Sequence, residues 1–202
     1  VVTMSAGNSG HYVDAGQHNA PGYLYGDDVS MHTGGAPGSY VNSLGVASVD
    51  NAGSTNFYFT VGDHMVVYNE TEYSNAKMHT IAGEHEYVFI DGFGTEEDFA
   101  AVADVLQGKI AFCSRGSSSF YQKAEAAVKY GAIATVICNN QAGTINMDLT
   151  DYTKTAPCVS ITQNDGAAVR ERSTPVKDEN GNVLYYTGKM TISDKLGSAL
   201  FG

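Results

Sequence analysis

A few short stretches of this 202-residue sequence carry side chains capable of chemistry. Arg115-Gly116-Ser117-Ser118-Ser119 stands just ahead of a helix-like segment, where free backbone N–H groups and a guanidinium could hold an anion. The same residues suit plain helix capping, which is the preferred reading. Glu84-His85-Glu86 and Asp27-Asp28 offer oxygen and imidazole ligands, but neither has the spacing of a zinc or calcium site. Solvated faces are expected there, and no metal site is assigned. Gly7-Asn8-Ser9-Gly10 lacks the spacing of a dinucleotide fingerprint, and no cofactor is expected. Asn69-Glu70-Thr71 is a glycosylation sequon. The three cysteines, Cys113, Cys138 and Cys158, are too widely spaced for a zinc knuckle or a CxxC redox pair. Each lies in or beside an apolar run and reads as a buried small hydrophobe.

The elements that must position these residues follow from periodicity and punctuation. Val1-Val2-Thr3-Met4-Ser5-Ala6 reads as a buried strand ended by the Gly7 to Gly10 turn. A long irregular stretch then leads to a second strand, Leu44 to Val49. After Asn51-Ala52-Gly53-Ser54 the character changes. Residues 56–68 hold two β-rich runs split by Gly62-Asp63, a hairpin pattern, and Tyr87-Val88-Phe89-Ile90 is a further strand. Thr95 ahead of Glu96, Glu97 and Asp98 predicts a helix start, with the helix running to about Leu106.

Lys109 to Cys113 is a strand, and Ser119 with Gln122 forms a capping box. Phe120, Ala124, Ala127 and Val128 then recur at helical spacing, with Glu125 and Lys129 placed as an i,i+4 pair. Gly131 stops the helix, and Ile133 to Cys138 is a continuous apolar strand. Strand, helix and strand with short links make a βαβ unit with parallel strands. Cys158-Val159-Ser160-Ile161 adds a strand, Asn164 or Asp165 can cap a helix through Arg172, and Asn180-Gly181 marks a hairpin within residues 176–193.

Composition excludes several classes. Hydrophobic residues are 43% and charged residues 16%, enough for a packed core. The net charge of -11 repels phosphate backbones, so no nucleic-acid partner is expected. No apolar run is long enough to span a bilayer. The sequence opens inside a strand-like run and is read as a piece of a longer protein, with any export signal upstream.

Two stretches resemble known families. Val2-Thr3-Met4-Ser5-Ala6-Gly7-Asn8-Ser9-Gly10 resembles the subtilase strand and turn that carry the oxyanion-hole asparagine. Gly35-Ala36-Pro37-Gly38 with Val46-Ala47-Ser48-Val49 resembles the next subtilase strand. Gly108-Lys109-Ile110-Ala111, Arg115-Gly116, Phe120, Lys123, Ala127, Gly131-Ala132, Val136-Ile137 and Asn139 resemble the signature of a protease-associated (PA) domain, and Ala156-Pro157-Cys158-Val159-Ser160-Ile161 its following strand. That order is similar to Gram-positive cell-envelope peptidases of the lactocepin and C5a-peptidase type.

The resemblance implies a mixed α/β fold. Residues 1–52 would be a fragment of a subtilisin-like α/β catalytic domain, holding the oxyanion strand and the strand after it. Residues 53–193 would be the PA insert, an open β-barrel-like sheet with flanking helices and one βαβ unit. Residues 194–202 would begin the return to the catalytic domain. It further implies that Asn8 donates to the oxyanion in the intact parent, a secreted serine endopeptidase. A subtilase also needs Ser, His and Asp. No serine motif is present, and the six histidines, His11, His18, His32, His64, His79 and His85, sit in none of the family's catalytic contexts and are taken as surface or turn residues. The chain alone is therefore expected to be inactive.

The insert would flank the cleft and influence which proteins enter. Its partners would be protein or peptide substrates and the rest of the catalytic domain, outside the cell or on its envelope. Two alternatives stand beside this reading: a non-catalytic protein-interaction or anchoring module, and a free-standing α/β domain binding a small ligand near Arg115.

Overall fold

A computed structural model of the chain describes residues 2–5, 43–46, 53–71 and 76–200. It divides into two compact units, Val1–Asn51 and Ala52–Gly202. In the first, β1 (Val2–Ser5) pairs in parallel with β2 (Ser43–Val46), in register Val2 to Ser43 and Ser5 to Val46. Asn8, Asp27, Asp28, His11, His18 and His32 lie outside the described residues.

The second unit is built on one mixed sheet. In chain order its strands are β3 (Gly53–Val61), β4 (His64–Val67), β5 (Gly83–Phe89), β6 (Ile110–Ser114), β7 (Ala134–Cys138), β8 (Cys158–Ile161), β9 (Thr174–Lys177) and β10 (Val183–Leu200). Their spatial order is β4-β3-β10-β5-β6-β7-β8, with β9 also on β10. The antiparallel half is β4, β3, β10 and β5, and the parallel half runs from β5 through β8. The 18-residue β10 is the spine. One edge meets β5, the other meets β9 and then β3, and a register shift between Ile192 and Leu196 bends it.

The sheet closes on itself. Just beyond β4, Asn69 N–H donates to Ser160 O at 2.8 Å, and Ser160 N–H donates to Asn69 O at 2.9 Å. This isolated bridge joins the two ends of the strand order, and the barrel-like closure removes exposed edges there.

Burial follows the layers. β6, β7 and β8 are buried on both faces up to Ser114 at the end of β6, because both faces of the sheet are covered there, and Thr135 and Ser160 are the polar residues buried among them. One face fills the barrel with Phe59, Val66, Tyr87, Phe112, Val136, Val159 and Met190. Phe112 sits at its centre, stacked 5.5 Å from Phe89, tilted 5.0 Å from Tyr87 and edge-on 6.0 Å from Phe59. The other face packs Val88, Ala111, Cys113 and Ile137 under three helices: α1 (Glu96–Ala100), α2 (Ala103–Leu106) and α3 (Phe120–Lys129). A fourth, α4 (Gln163–Glu171), contributes Val169 to the barrel core.

The βαβ unit β6-α3-β7 is present and parallel, and both capping boxes form, Thr95 with Asp98 and Ser119 with Gln122. Gly131 closes α3 at φ +96°. Gly62 and Gly181, at φ +60° and +86°, turn the β3-β4 and β9-β10 hairpins.

Three local expectations are corrected. The helix from Thr95 does not run unbroken to Leu106, because Val102 leaves helical geometry (φ -117°, ψ 13°) and separates α1 from α2. Helix α4 is capped by Thr162, whose hydroxyl accepts from Asp165 N–H at 3.1 Å, not by Asn164 or Asp165. Glu125 and Lys129 do not pair. Lys129 reaches across to Glu96, and Glu125 accepts from the Thr153 hydroxyl at 2.8 Å, because neighbouring elements supply stronger partners than the helix's own next turn.

Candidate functional site

Parallel strands end on one side of a sheet, and the loops leaving those ends are where α/β folds most often place a site. Here three such loops follow β5, β6 and β7. The first carries Phe93, the second Arg115 to Ser119, and the third Asn139 and Asn140.

They are cross-linked. Ser114 N–H donates to Gly92 O at 3.0 Å, and Arg115 N–H to Cys138 O at 2.8 Å. The Arg115 guanidinium donates to Asn139 Oδ1 at 3.3 Å, and Asn139 Nδ2 donates to Gly143 O at 2.9 Å. Gly116 takes φ +135°, and Ser117 at φ +59° is the one non-glycine at positive φ among the described residues. Strain of this kind persists only where surrounding contacts fix it. The Phe93 ring lies on Gly116, where a Cβ would come within 2.7 Å of it.

Lys123 holds this group from below. It is fully buried on α3, and its ammonium donates to Phe93 O and Gly116 O. Burial pushes its pKa down, opposed by Cys113 and Asp98 nearby. Burial also pushes the Cys113 thiol up to about 12. Cys113, Cys138 and Cys158 are all buried and free, as small hydrophobes would be.

The Arg115 to Ser119 segment acts chiefly as the α3 cap, with Ser119 N–H donating to Gln122 Oε1 at 3.2 Å. A groove of about 380 Å³ runs beside it, lined by Thr95, Glu96, Ser118, Gln122 and Lys129. Glu84 pairs with Lys189 at 2.8 Å and Glu86 with Lys109 at 3.0 Å, so the Glu84-His85-Glu86 carboxylates serve surface ion pairs. Among the described residues no group of three or more His, Cys, Asp or Glu could hold a metal ion.

Nor is a nucleophile activated at the described histidines. His64 Nε2 meets Asp165 Oδ1 at 3.0 Å, but it is the carboxylate that accepts from a hydroxyl, Thr162, at 2.6 Å. A triad needs the imidazole in the middle. His85 Nε2 contacts Ile81 O at 2.7 Å, and His79 stacks on Phe57 at 4.0 Å with its Nδ1 buried and unpartnered. All three are partly exposed, and His64 directly follows the Gly62 turn. Sequence reasoning named Lys123 only as a signature position, and Arg115 both as a signature position and as a candidate anion contact. It missed Phe93, whose exposure no local pattern announces.

Comparisons with known proteins bear on this architecture. The family model of the PA domain matches residues 84–169. Aminopeptidase YwaD of Bacillus subtilis (strain 168) is 37% identical over 83 residues, 40% of this chain and 18% of that protein. The minor extracellular protease Vpr of the same organism is 32% identical over 106 residues, 52% of this chain and 12% of that protein. The chain thus aligns with under a fifth of either relative.

Among solved structures, BSAP, a zinc aminopeptidase from Bacillus subtilis, superposes with a TM-score of 0.52 at 22% identity, over 74% of this chain and 32% of that one. The aminopeptidase from Aneurinibacillus sp. strain AM-1 gives 0.51 at 25% identity, over 72% and 34%. The family match places a PA domain at residues 84–169, within a mixed α/β unit whose sheet is nearly closed and barrel-like. Its relatives are peptidases. No helix among the described residues is long and apolar enough to cross a membrane.

Proposed function

We propose that this chain is the PA insert of an exported peptidase, together with an edge of the catalytic domain, and that the insert governs which protein substrates reach the cleft. The observation that carries the reading is where the chain enters and leaves the barrel. Gly53 and Leu200 are register partners across β3 and β10. A unit whose ends lie side by side can be inserted into a loop of another domain without disturbing it. Contacts remote from the reacting atoms then add binding energy for large substrates without altering the chemistry.

In this reading residues 1–52 belong to a subtilisin-like catalytic domain, and Asn8 supplies the oxyanion donor in the intact enzyme. The support is the resemblance of residues 2–10 to the oxyanion strand and turn. The Ser, His and Asp would come from the rest of the parent, so the isolated chain has no hydrolytic activity. The parent would act outside the cell or on the envelope of a Gram-positive bacterium, and its relative Vpr is an extracellular protease.

A second reading has a specific observation behind it. The superposable structures are aminopeptidases, one of them described as a zinc enzyme, so the parent would be a metallo-aminopeptidase carrying the same insert. Inhibition separates the two. A sulfonyl fluoride abolishes a serine peptidase and spares a zinc enzyme, whereas a chelator does the reverse. In the first case Asn8→Ala lowers kcat by about 100- to 1,000-fold, the size found for the corresponding amide in subtilisin. Chelator-sensitive activity, indifferent to Asn8→Ala, overturns the subtilase assignment.

A further inference from the structure

Lys123 is out of place in an apolar layer. Its relative exposure is 0%, and among the described residues no carboxylate lies within ion-pair distance of it, the ammonium meeting only main-chain carbonyls. Those carbonyls, Phe93 O and Gly116 O, belong to the loops after β5 and β6. One buried cation therefore fixes the spacing of two loops that Ser114 N–H and Gly92 O also join at 3.0 Å.

What the two loops present is Phe93. It is 46% exposed, the only aromatic among the described large hydrophobic residues that face solvent. One face of its ring is supported by the Gly116 backbone. An exposed aromatic already held in place loses little freedom when a partner covers it, which is how anchor residues concentrate binding energy. Arg115 adjoins Gly116 in sequence, and among the described residues its guanidinium makes a single hydrogen bond, at 3.3 Å to Asn139 Oδ1. Its remaining N–H donors suit a carboxylate.

We infer that Phe93 and Arg115 form a contact point for an extended polypeptide substrate, taking an apolar side chain followed by an acidic one, and that Lys123 is the positioning residue that holds the contact point in shape. The inference rests on the substrate-selection reading above and names the face that would perform it. Phe93 covers the apolar side chain, Arg115 takes the carboxylate, and the Lys123 ammonium keeps both loops at a fixed separation.

The test is fluorescence anisotropy on the full 202-residue chain, with labelled Gly/Ser peptides carrying a central Leu-Asp, Ala-Asp or Leu-Lys pair. The Leu-Asp peptide binds the unmodified chain best. Phe93→Ala weakens it by about tenfold or more, the size of a hot-spot truncation. Arg115→Gln removes the preference for Leu-Asp over Leu-Lys. Lys123→Met speeds amide exchange at Ser114 and Ser118, which shows the loops loosened, and it weakens Leu-Asp binding while leaving the urea midpoint near that of the unmodified chain, a loss of binding that a purely structural lysine would not cause. Leu184→Ala, at an exposed leucine elsewhere, changes nothing.

Equal binding by Phe93→Ala and the unmodified chain overturns the inference. So does failure of the unmodified chain to bind Leu-Asp more tightly than Ala-Asp. If Phe93→Ala is silent while deletion of the whole domain from the intact peptidase alters protein cleavage, this inference fails and the substrate-selection reading stands.

Discussion

Replacing Lys123 by methionine removes a buried charge and keeps most of the side-chain volume. Loss of the ammonium relieves a desolvation penalty of roughly several kcal/mol. Against this stand the two hydrogen bonds to Phe93 O and Gly116 O, worth about 1.5–3 kcal/mol each with a charged donor. Gly116 O keeps a second donor, Ser118 N–H at 2.7 Å, which softens that loss. The opposing effects nearly cancel, so Lys123→Met is expected to lie within about 2 kcal/mol of the unmodified chain. Lys123→Ala also empties the space of the buried stem and falls about 2–4 kcal/mol below the methionine variant.

Urea unfolding followed by far-UV circular dichroism measures both. A pH series adds a signed check. Burial holds the Lys123 pKa below its ordinary 10.5. Between the folded value and 10.5 the unfolded chain therefore binds more protons, and this lysine's contribution makes native stability rise with pH. Lys123→Met lacks that contribution, so the unmodified chain gains on it as pH rises toward 10.5. The buried tyrosines and the thiols of Cys138 and Cys158 oppose the trend equally in both and cancel in the difference, whereas Cys113 interacts with the Lys123 charge and is replaced by serine in both chains for this comparison. A loss above about 4 kcal/mol in Lys123→Met, or a difference that is flat with pH, refutes the reasoning.

Other outcomes follow from the same packing. Phe112→Ala, at the meeting point of Phe59, Tyr87 and Phe89, lowers stability by about 3–5 kcal/mol in urea unfolding. Native chain leaves all three buried thiols unreactive toward a disulfide reagent at pH 8, since burial is the largest cause raising the pKa of each, and all three react once guanidinium unfolds it. Gly94→Ala is destabilising by urea titration, because the added Cβ would stand 2.7 Å from Cys113 Sγ at a backbone φ of +70°.

Local chemistry was legible in the sequence and closure was not. Ser119 with Gln122, Gly131, Gly62-Asp63 and Asn180-Gly181 announce themselves within a few residues, and the β6-α3-β7 unit follows from them. The Thr162 cap is a local signal as well, since its hydroxyl serves Asp165 three residues on, but Asn164 and Asp165 beside it are equally good capping types. The Asn69 to Ser160 bridge joins positions far apart in sequence and leaves no local trace. The break at Val102 and the partners of Glu125 and Lys129 are set by tertiary neighbours. Lys123 is the instructive case at the candidate site. Helical spacing puts it on the α3 face that packs inward, yet a lysine invites a surface assignment until the carbonyls that receive it are known.

The most direct test of substrate selection uses the intact peptidase with residues 53–200 replaced by a short Gly/Ser linker, a change the adjacency of Gly53 and Leu200 permits. Cleavage of a short peptide and of a folded protein is compared before and after. The account predicts an unchanged kcat/KM for the peptide and a depressed or redirected cleavage of the protein. Unchanged rates for both substrates would contradict it and leave the domain a role in association or anchoring.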